Sequence, residues 1–335
     1  MSNTNGGAAT TAPPWYLVPL GQAEFMPPGM KNLTEIDIHR PVAHQLTHIS
    51  RGHDIVPIVP DDMPHEAANM FLTACYQGAM SYRMTQNTFH ALAPAWIYNS
   101  LENAERFKAC TPVDKITKTK DKAVIIGGGP SVNPDLLTDD FEIYCAWNAA
   151  RKVVDGGKTP DYVGHADPNY RDGYLWDLPQ RTKLIAMPQA PADFVNIPRE
   201  LVGYFDPSNP AGAWFAQHHN RGDHFHVVGT VAHMLTHAAI YAGHTEIYLM
   251  GVDYAWVEGD YDSAEGCEIK EYTNQHGIKV KTYSVFETCA HGFFSTLVHY
   301  PDVKIYQTSK TALDIPGVLY KSLEVTNGDN TTRPD

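Results

Sequence analysis

The central and C-terminal parts of the chain alternate between short apolar runs and more polar segments. From residue 121 onwards the apolar runs are rich in β-branched and aromatic residues: KAVII, EIYCAW, DYVGH, KLIAM, HFHVV, EIYLM and VKIY. The segments between them are loop-like or have helical spacing, as in TVAHMLTHAAIYAG and HGFFSTLVHY. Such alternation is typical of a mostly parallel sheet with helices on both faces. The pattern therefore predicts an α/β, Rossmann-like domain over residues 116–325.

The first part of the chain lacks this alternation. Residues 1–65 are rich in Pro and His with little periodicity, which predicts an irregular arm. Residues 66–115 have apolar positions near helical spacing, and Pro94 and Pro112 bracket the second of two predicted helices. The polar composition of residues 326–335 predicts a flexible tail. We therefore expect an irregular and helical N-terminal extension in front of one large domain.

Charge and cysteine usage narrow the class of protein. Asp and Glu number 38 against 25 Lys and Arg, which gives a net charge of −13 with His neutral. Nucleic acids require a cationic face, so no nucleic-acid partner is expected. Five separated cysteines without a C-x-x-C pair favour reduced thiols and a cytoplasmic location. The start resembles no signal peptide, and the most apolar stretch, residues 225–243, is interrupted by three His, so no membrane span is expected.

A glycine-rich turn follows the first apolar run of the large domain. It consists of Gly127, Gly128, Gly129, Pro130 and Ser131. Glycines allow backbone N–H groups to approach an anion, and proline suits the first turn of a following helix. The turn matches neither the dinucleotide fingerprint, since Val132 replaces the last glycine, nor a P-loop. It predicts a phosphate or nucleotide site, with a tight turn that binds no ligand as the alternative.

Five further positions follow or precede predicted elements in a way that suggests binding. Asn148 ends the second run, where it would either bind a base or ribose or cap the next helix. Asp167 and Asp253 end later runs, where a carboxylate would hold a metal or a sugar hydroxyl. Gly229 and Thr230 precede a long helix and add backbone donors. Carboxyl ends of parallel strands face one crevice, so we expect these residues to lie close together.

Histidines give weaker signals. Seven lie between positions 218 and 244, and His233 and His237 are one helical turn apart, a spacing that can chelate a metal. Met234 replaces the glutamate of a zincin motif, so packed and hydrogen-bonded histidines are favoured and no metal site is predicted. His291 stands before a predicted helix, where it would act as a general base or cap the helix.

The order of these motifs resembles a known family. AVIIGGGPSV, IYCAWNAA, PDYVGHADP and GTVAHMLTHAAIYAGHTEIYLMGVDYAW are similar to the motility-associated-factor glycosyltransferase-like family, which includes archaeal 6-hydroxymethylpterin diphosphokinases. The resemblance covers about residues 95–323. The same motifs resemble bacterial sialyltransferases that use CMP-sialic acid. That second resemblance assigns nucleotide contacts to Gly127, Gly129, Pro130, Ser131, Asn148, Gly229 and Thr230, and makes His291 the nearest counterpart of the general base.

Three functions are compatible with this resemblance. The preferred one is a transferase that moves a sialic-acid-like sugar from a CMP-sugar to a hydroxyl of a glycan or protein acceptor, with His291 and Asp253 as catalytic candidates. The alternative is a Mg²⁺-dependent pterin diphosphokinase, whose metal would be held by carboxylates such as Asp167 and Asp253. The third is a non-catalytic module that forms a homo-oligomer or larger assembly through its N-terminal arm.

Overall fold

The computed structural model describes residues 14–21, 32–38, 42–46, 49, 54–169, 178–206, 210–218, 229–259 and 267–323. The chain divides into two units, Met1–His90 and Ala91–Asp335. The predicted strand at HFHVV, with His224 and His226, lies outside the described residues, as do His219 and the predicted tail at 326–335.

The N-terminal unit contains more regular structure than its sequence indicates. Strands β1 (Trp15–Pro19), β2 (Leu33–Ile36) and β3 (Ile55–Pro57) pair in parallel in the order β2-β1-β3, and helix α1 spans Val42–Gln45. Apolar side chains of these elements, such as Leu17 and Ile36, share a buried cluster with Phe71. The strands have five residues or fewer, and β1 and β3 end in proline, so their sequences show no extended period-2 pattern.

Helix α2 (His65–Glu102) continues through Pro94, whereas the sequence predicted two helices separated there. A proline removes one N–H, so the carbonyl four residues earlier, at His90, loses its helical hydrogen bond while the helix continues. The boundary between the two units falls directly after His90. Although α2 has 38 residues, no helix in the described ranges is long and apolar enough to cross a membrane. A short helix, α3 (Ala104–Lys108), follows.

The C-terminal unit is built on a large sheet. Its strands begin with β4 (Thr111–Pro112), β5 (Lys122–Ile126), β6 (Phe141–Ala146), β7 (Tyr162–His165), β8 (Lys183–Ala186), β9 (Leu201–Gly203) and β10 (Glu246–Met250). A hairpin of β11 (Ile269–Thr273) and β12 (Lys279–Tyr283) is separate, and β13 (Lys304–Gln307) and β14 (Leu319–Tyr320) complete the sheet. The helices are α4 (Trp147–Asp155), α5 (Ala192–Val195), α6 (Pro210–His218), α7 (Val231–Tyr241) and α8 (Ser284–His299).

The strand order explains where a ligand would bind. Among the described strands the sheet runs β14-β13-β10-β5-β6-β7-β8-β9-β4, with every neighbouring pair parallel. The chain proceeds from β5 to β9 on one side and then crosses to β10 on the other, so the direction of winding reverses between β5 and β10. The central strands are buried along almost their whole length, which accounts for their continuous apolar runs. The predicted α/β fold is confirmed.

Candidate active site

A cavity of ≈ 290 Å³ opens at the carboxyl ends of the strands, at the reversal between β5 and β10. Crevices at such reversals are where open α/β sheets bind ligands. The described residues that line it are Gly127, Gly128, Gly129, Pro130, Ala146, Trp147, Asn148, Asp167, Asn169, Thr230, Val231, Ala232, Gly251, Val252, Asp253, Tyr254, Ala255 and Phe286. The structure thus brings together most of the predicted site residues; Ser131 lies just behind the wall, and Gly229 and His291 are not part of it.

The glycine turn joins the ends of β5 and β10. Its alternate N–H groups donate across the reversal: Gly127 N to Met250 O (2.8 Å), Gly129 N to Gly251 O (2.7 Å) and Ser131 N to Asp253 Oδ2 (3.0 Å). The sequence predicted that the N–H groups of this turn approach an anion. Three of them instead hold two strand ends together, which leaves Gly128, exposed in the cavity wall, to face a ligand.

This pairing requires the absence of side chains at the turn. A Cβ on Gly127 would lie 2.4 Å from Gly251 O, and one on Gly129 would lie 2.5 Å from Asp253 Oδ2. The predicted α-helix after Pro130 is replaced by a 3₁₀ turn at Pro134–Leu136. Asn133 caps this turn by accepting a hydrogen bond from Asp135 N at 3.2 Å. The glycines therefore permit close packing of two strands rather than opening a helix onto a phosphate.

Asp253 is held by Ser131. Besides the backbone contact, Ser131 Oγ donates to Asp253 Oδ1 at 2.5 Å and itself accepts from Gly251 N at 3.0 Å. Asp253 is only 2% exposed, and burial raises the pKa of its carboxyl group, although the two hydrogen bonds from Ser131 partly offset that effect. The sequence predicted that the Ser131 hydroxyl contacts a ligand, but it is hydrogen-bonded to Asp253 and Gly251 of the protein itself.

Two helices begin at the cavity. Helix α4 starts at Trp147 after Ala146, so Asn148 belongs to the first turn and is not the cap that the alternative interpretation required. Helix α7 starts after Thr230, whose Oγ1 accepts from His233 N at 3.4 Å. The first N–H groups of a helix lack helical partners and carry partial positive charge, which attracts anions. Both helix starts line the same cavity.

The polar side chains beside these helix starts are an amide and a carboxylate. Asn148 is exposed, and its Nδ2 lies 2.4 Å from where a Cβ on Gly128 would stand, so its amide lies directly over Gly128. Asp167 Oδ1 accepts from Asn169 N at 2.8 Å, which fixes a tight turn after β7. Among the lining residues described, Asp167 and Asp253 are the charged side chains, and neither Lys nor Arg is present.

Sequence reasoning missed Tyr254 and Trp147. Tyr254 has φ +50°, a conformation that a tyrosine rarely adopts, and its hydroxyl lies 2.9 Å from Thr230 Oγ1. This contact ties the end of β10 to the start of α7. The Trp147 ring stacks on His165 with centroids 5.1 Å apart. The run GVDYAW contains a signal that could have identified Tyr254, because a glycine and an aspartate beside an aromatic residue after a strand indicate an unusual turn.

His291 does not join the other predicted residues. Helix α8 begins at Ser284, so His291 lies in the middle of the helix. The sequence predicted that His291 precedes or caps this helix, and that prediction is wrong. Phe286 is the residue of α8 in the cavity wall. Five residues further along a helix, a side chain is displaced by about 7.5 Å and about 140° around the axis. That rotation places His291 on a different side of α8 from the cavity.

The predicted pair of histidines is packed inside the unit. His233 Nε2 and His237 Nε2 each lie 2.9 Å from Thr296 Oγ1, and Tyr204 OH lies 2.9 Å from His237 Nδ1. All four side chains are completely buried. Within the described ranges no group of three or more His, Cys, Asp or Glu is arranged to hold a metal ion. The i, i+4 spacing places both histidines of α7 within hydrogen-bond distance of the Thr296 hydroxyl of α8, which joins the two helices.

Comparisons with known proteins agree with this architecture. Residues 98–259 match the family model described as 6-hydroxymethylpterin diphosphokinase MptE-like. No curated protein matches the chain. Among solved structures, MAf glycosyltransferase from Magnetospirillum magneticum AMB-1 matches with a TM-score of 0.56 and 15% identity, over 93% of this chain and 58% of that one. The sialyltransferase CST-II in complex with CMP matches with a TM-score of 0.33 and 14% identity, over 60% of this chain and 87% of that one, a likeness too slight for inference.

These matches bear on fold and family. This chain spans 58% of the length of the MAf glycosyltransferase, and at 15% identity the likeness shows the fold alone. The matched family segment contains the glycine turn, Asn148, Asp167, Thr230 and Asp253. The resemblance inferred from the order of motifs is therefore confirmed: residues 98–259 match the MptE-like family model, and the fold is similar to that of a MAf glycosyltransferase.

Proposed function

We propose that this protein is a glycosyltransferase-type enzyme that holds a nucleotide donor in the cavity between β5 and β10. The observation that carries the proposal is the convergence of two helix starts, α4 and α7, on one cavity with Gly128 and Asn148. Helix N–H groups suit a phosphate, and an exposed amide suits a base or ribose. A sugar attached to that phosphate would be transferred to a hydroxyl of a glycan or protein acceptor.

The charge of the cavity favours a donor with a single phosphate. Asp167 and Asp253 are the charged side chains among the described residues of the wall. A diphosphate or triphosphate beside two carboxylates is repelled unless a divalent cation is also bound. A phosphodiester carries one negative charge, which helix starts can accommodate. The composition of the wall therefore supports a donor with one phosphate, such as a CMP-sugar. The sialic-acid-like sugar is proposed from the resemblance of the motifs and not from the wall, because its carboxylate adds a second negative charge.

A Mg²⁺-dependent diphosphokinase is the second candidate. The match to the MptE-like family model favours it, and the same two carboxylates, Asp167 and Asp253, would then hold the metal against the donor phosphates. The two candidates differ in a measurable way, since one requires a divalent cation for tight nucleotide binding and the other does not.

For the general base, the geometry favours Asp253 over His291. The Asp253 carboxylate lies in the cavity wall, and burial raises its pKa, which makes it a stronger base. A base contributes about 10²–10⁴-fold to the rate, so Asp253→Asn is expected to reduce kcat on that scale. Ser131→Ala is the control, because it removes a hydrogen bond to Asp253 and keeps the carboxylate. Equal losses in the two variants would show that Asp253 only positions the turn.

The binding test is calorimetry with CMP, CDP, UDP, GDP and ATP, each with Mg²⁺ or with EDTA. We expect CMP to bind in EDTA and Asn148→Ala to weaken it about tenfold, the loss of one or two hydrogen bonds. Asn133→Ala, which removes a cap outside the cavity, is the matched control and should bind as the wild type does. ATP binding that requires Mg²⁺, without CMP binding, would support the diphosphokinase. Binding of no nucleotide would refute both and favour a non-catalytic assembly module.

A further inference from the structure

Two buried asparagines near the end of α2 fasten the loops that follow β7 and β8. Asn99 and Asn103 are one helical turn apart, 8% and 0% exposed, and both belong to the C-terminal unit. Each amide donates to two backbone carbonyls: Asn99 Nδ2 to Pro168 O (2.9 Å) and Gln189 O (3.0 Å), and Asn103 Nδ2 to Pro188 O (2.9 Å) and Ala190 O (2.7 Å). Each amide nitrogen thus donates two hydrogen bonds to backbone carbonyls.

The loops that they hold are not equivalent. Pro168 lies between Asp167 and Asn169, and both of these neighbours line the cavity. The carbonyls that Asn103 binds belong to residues 188 and 190, which are not among the described lining residues. Asn99 is therefore hydrogen-bonded to the loop after β7, which carries residues of the candidate site. The Nδ2 of Asn103 is hydrogen-bonded to the loop after β8.

The bond from Asn99 fixes the loop against the sheet. The hydrogen bond from Asn169 N to Asp167 Oδ1 lies within the described start of the loop. Proline has no N–H, so the carbonyl of Pro168 is the group through which that residue's backbone can hydrogen-bond. Asn99 Nδ2 donates hydrogen bonds to that carbonyl and to the carbonyl of Gln189. From its helix, Asn99 thereby links the segments that follow β7 and β8.

We propose that Asn99 is a positioning residue for the nucleotide site, acting through the loop that carries Asp167 and Asn169. The inference rests on the proposed function for its effect on binding, but not for its effect on the loop. A ligand that contacts a preorganised loop does not lose free energy in ordering it. Loosening the loop therefore weakens binding even though Asn99 touches no ligand.

The paired variants Asn99→Ala and Asn103→Ala test this role. Each removes two buried hydrogen bonds, so both should lower Tm similarly, by about 4–8 °C. At a temperature well below either transition, Asn99→Ala should bind CMP about tenfold more weakly than the wild type, and Asn103→Ala should bind it within about twofold. Amide hydrogen exchange at residues 166, 167 and 169 should be faster in Asn99→Ala alone. If an alanine variant does not fold, Asn99→Gln and Asn103→Gln give the same comparison.

The two measurements separate this inference from the proposed function. Faster exchange of the loop in Asn99→Ala only, in a protein that binds no nucleotide, would leave Asn99 as the residue that fixes the loop while the proposed function fails. Equal exchange of this loop in the two variants, or equal weakening of CMP binding, would overturn the positioning role.

Discussion

A methyl group at position 129 tests whether the glycine turn serves the packing of two strands. In Gly129→Ala the new Cβ would lie 2.5 Å from Asp253 Oδ2 and 2.7 Å from Gly251 O, both shorter than real Cβ contacts. The backbone cannot recede freely, because Gly129 N donates to Gly251 O at 2.7 Å. Relief therefore requires both the Gly251 carbonyl and the Asp253 carboxylate to move, the carboxylate away from Ser131.

The cost follows from those contacts. Overpacking a close-packed site costs about 1–3 kcal/mol, and losing a hydrogen bond to a charged group costs about 1.5–3 kcal/mol. We expect Gly129→Ala to lower the free energy of unfolding by about 3–5 kcal/mol, which corresponds to a fall in Tm of about 10 °C for a domain of this size.

Gly128→Ala is the matched control, one residue away. Its Cβ would meet Asn148 Nδ2 at 2.4 Å, but this is the end of an exposed side chain that can rotate, and Gly128 is not among the glycines with positive φ. We expect Tm to change by no more than about 2 °C, since alanine also reduces the entropy of the unfolded chain. Displacing Asn148 should nevertheless weaken CMP binding.

The assays are thermal and urea unfolding for stability and calorimetry for binding. The expected pattern is a stability loss at position 129 and a binding loss with little stability loss at position 128. A Gly129→Ala protein that unfolds like the wild type would refute the packing argument. So would a Gly128→Ala protein destabilised as much as Gly129→Ala, because the clash at 128 is with a movable group.

Substitutions at three further positions address separate features of the C-terminal unit. Burial alone would raise the pKa of Glu142, but the hydrogen bonds from His244 and Thr119 outweigh it and lower the pKa below 4.5; Glu142 therefore stabilises the fold above pH 4.5, and that contribution is lost as the pH falls through the lowered pKa. Glu142→Gln should be less stable at pH 7 and lose less Tm between pH 6 and pH 3 than the wild type, whereas parallel Tm profiles would contradict this. Thr296→Val leaves two buried histidines without their shared hydroxyl and should cost about 2 kcal/mol in urea unfolding, while Thr296→Ser should restore most of it. His291→Ala should keep transferase turnover within a few-fold, because His291 is outside the cavity wall; a loss of about 10²-fold or more would identify it as the general base after all.

Much of the fold was predictable from the sequence because burial leaves a local pattern. The strands β5, β6, β7, β8, β10 and β13 all coincide with predicted apolar runs to within one residue. Parallel strands align their carboxyl ends, so the meeting of Asn148, Asp167, Thr230 and Asp253 at one cavity also followed from chain order. These features depend on where a residue stands relative to its own strand, which the sequence states directly.

Other features depend on partners far along the chain. Ser131 and Asp253 are 122 residues apart, and no local pattern shows that the N–H groups of the turn are used by β10 instead of a ligand. Pro94 predicted a helix end, but α2 continues through it. The free energy lost with one helical hydrogen bond is smaller than the free energy that stabilises the rest of the helix.

The sequence by itself determined six strands of the large sheet, their direction and the edge of the sheet at which the candidate site lies, because period and burial act on neighbouring residues. Only the tertiary structure decided which polar groups remain for a ligand. It engaged Ser131 with Asp253, set His291 apart from the cavity and joined Asn99 to the loop of Asp167. The physical reason is that a buried polar group bonds to whichever partner folding brings within about 3 Å, and that partner is set by the packing of distant elements.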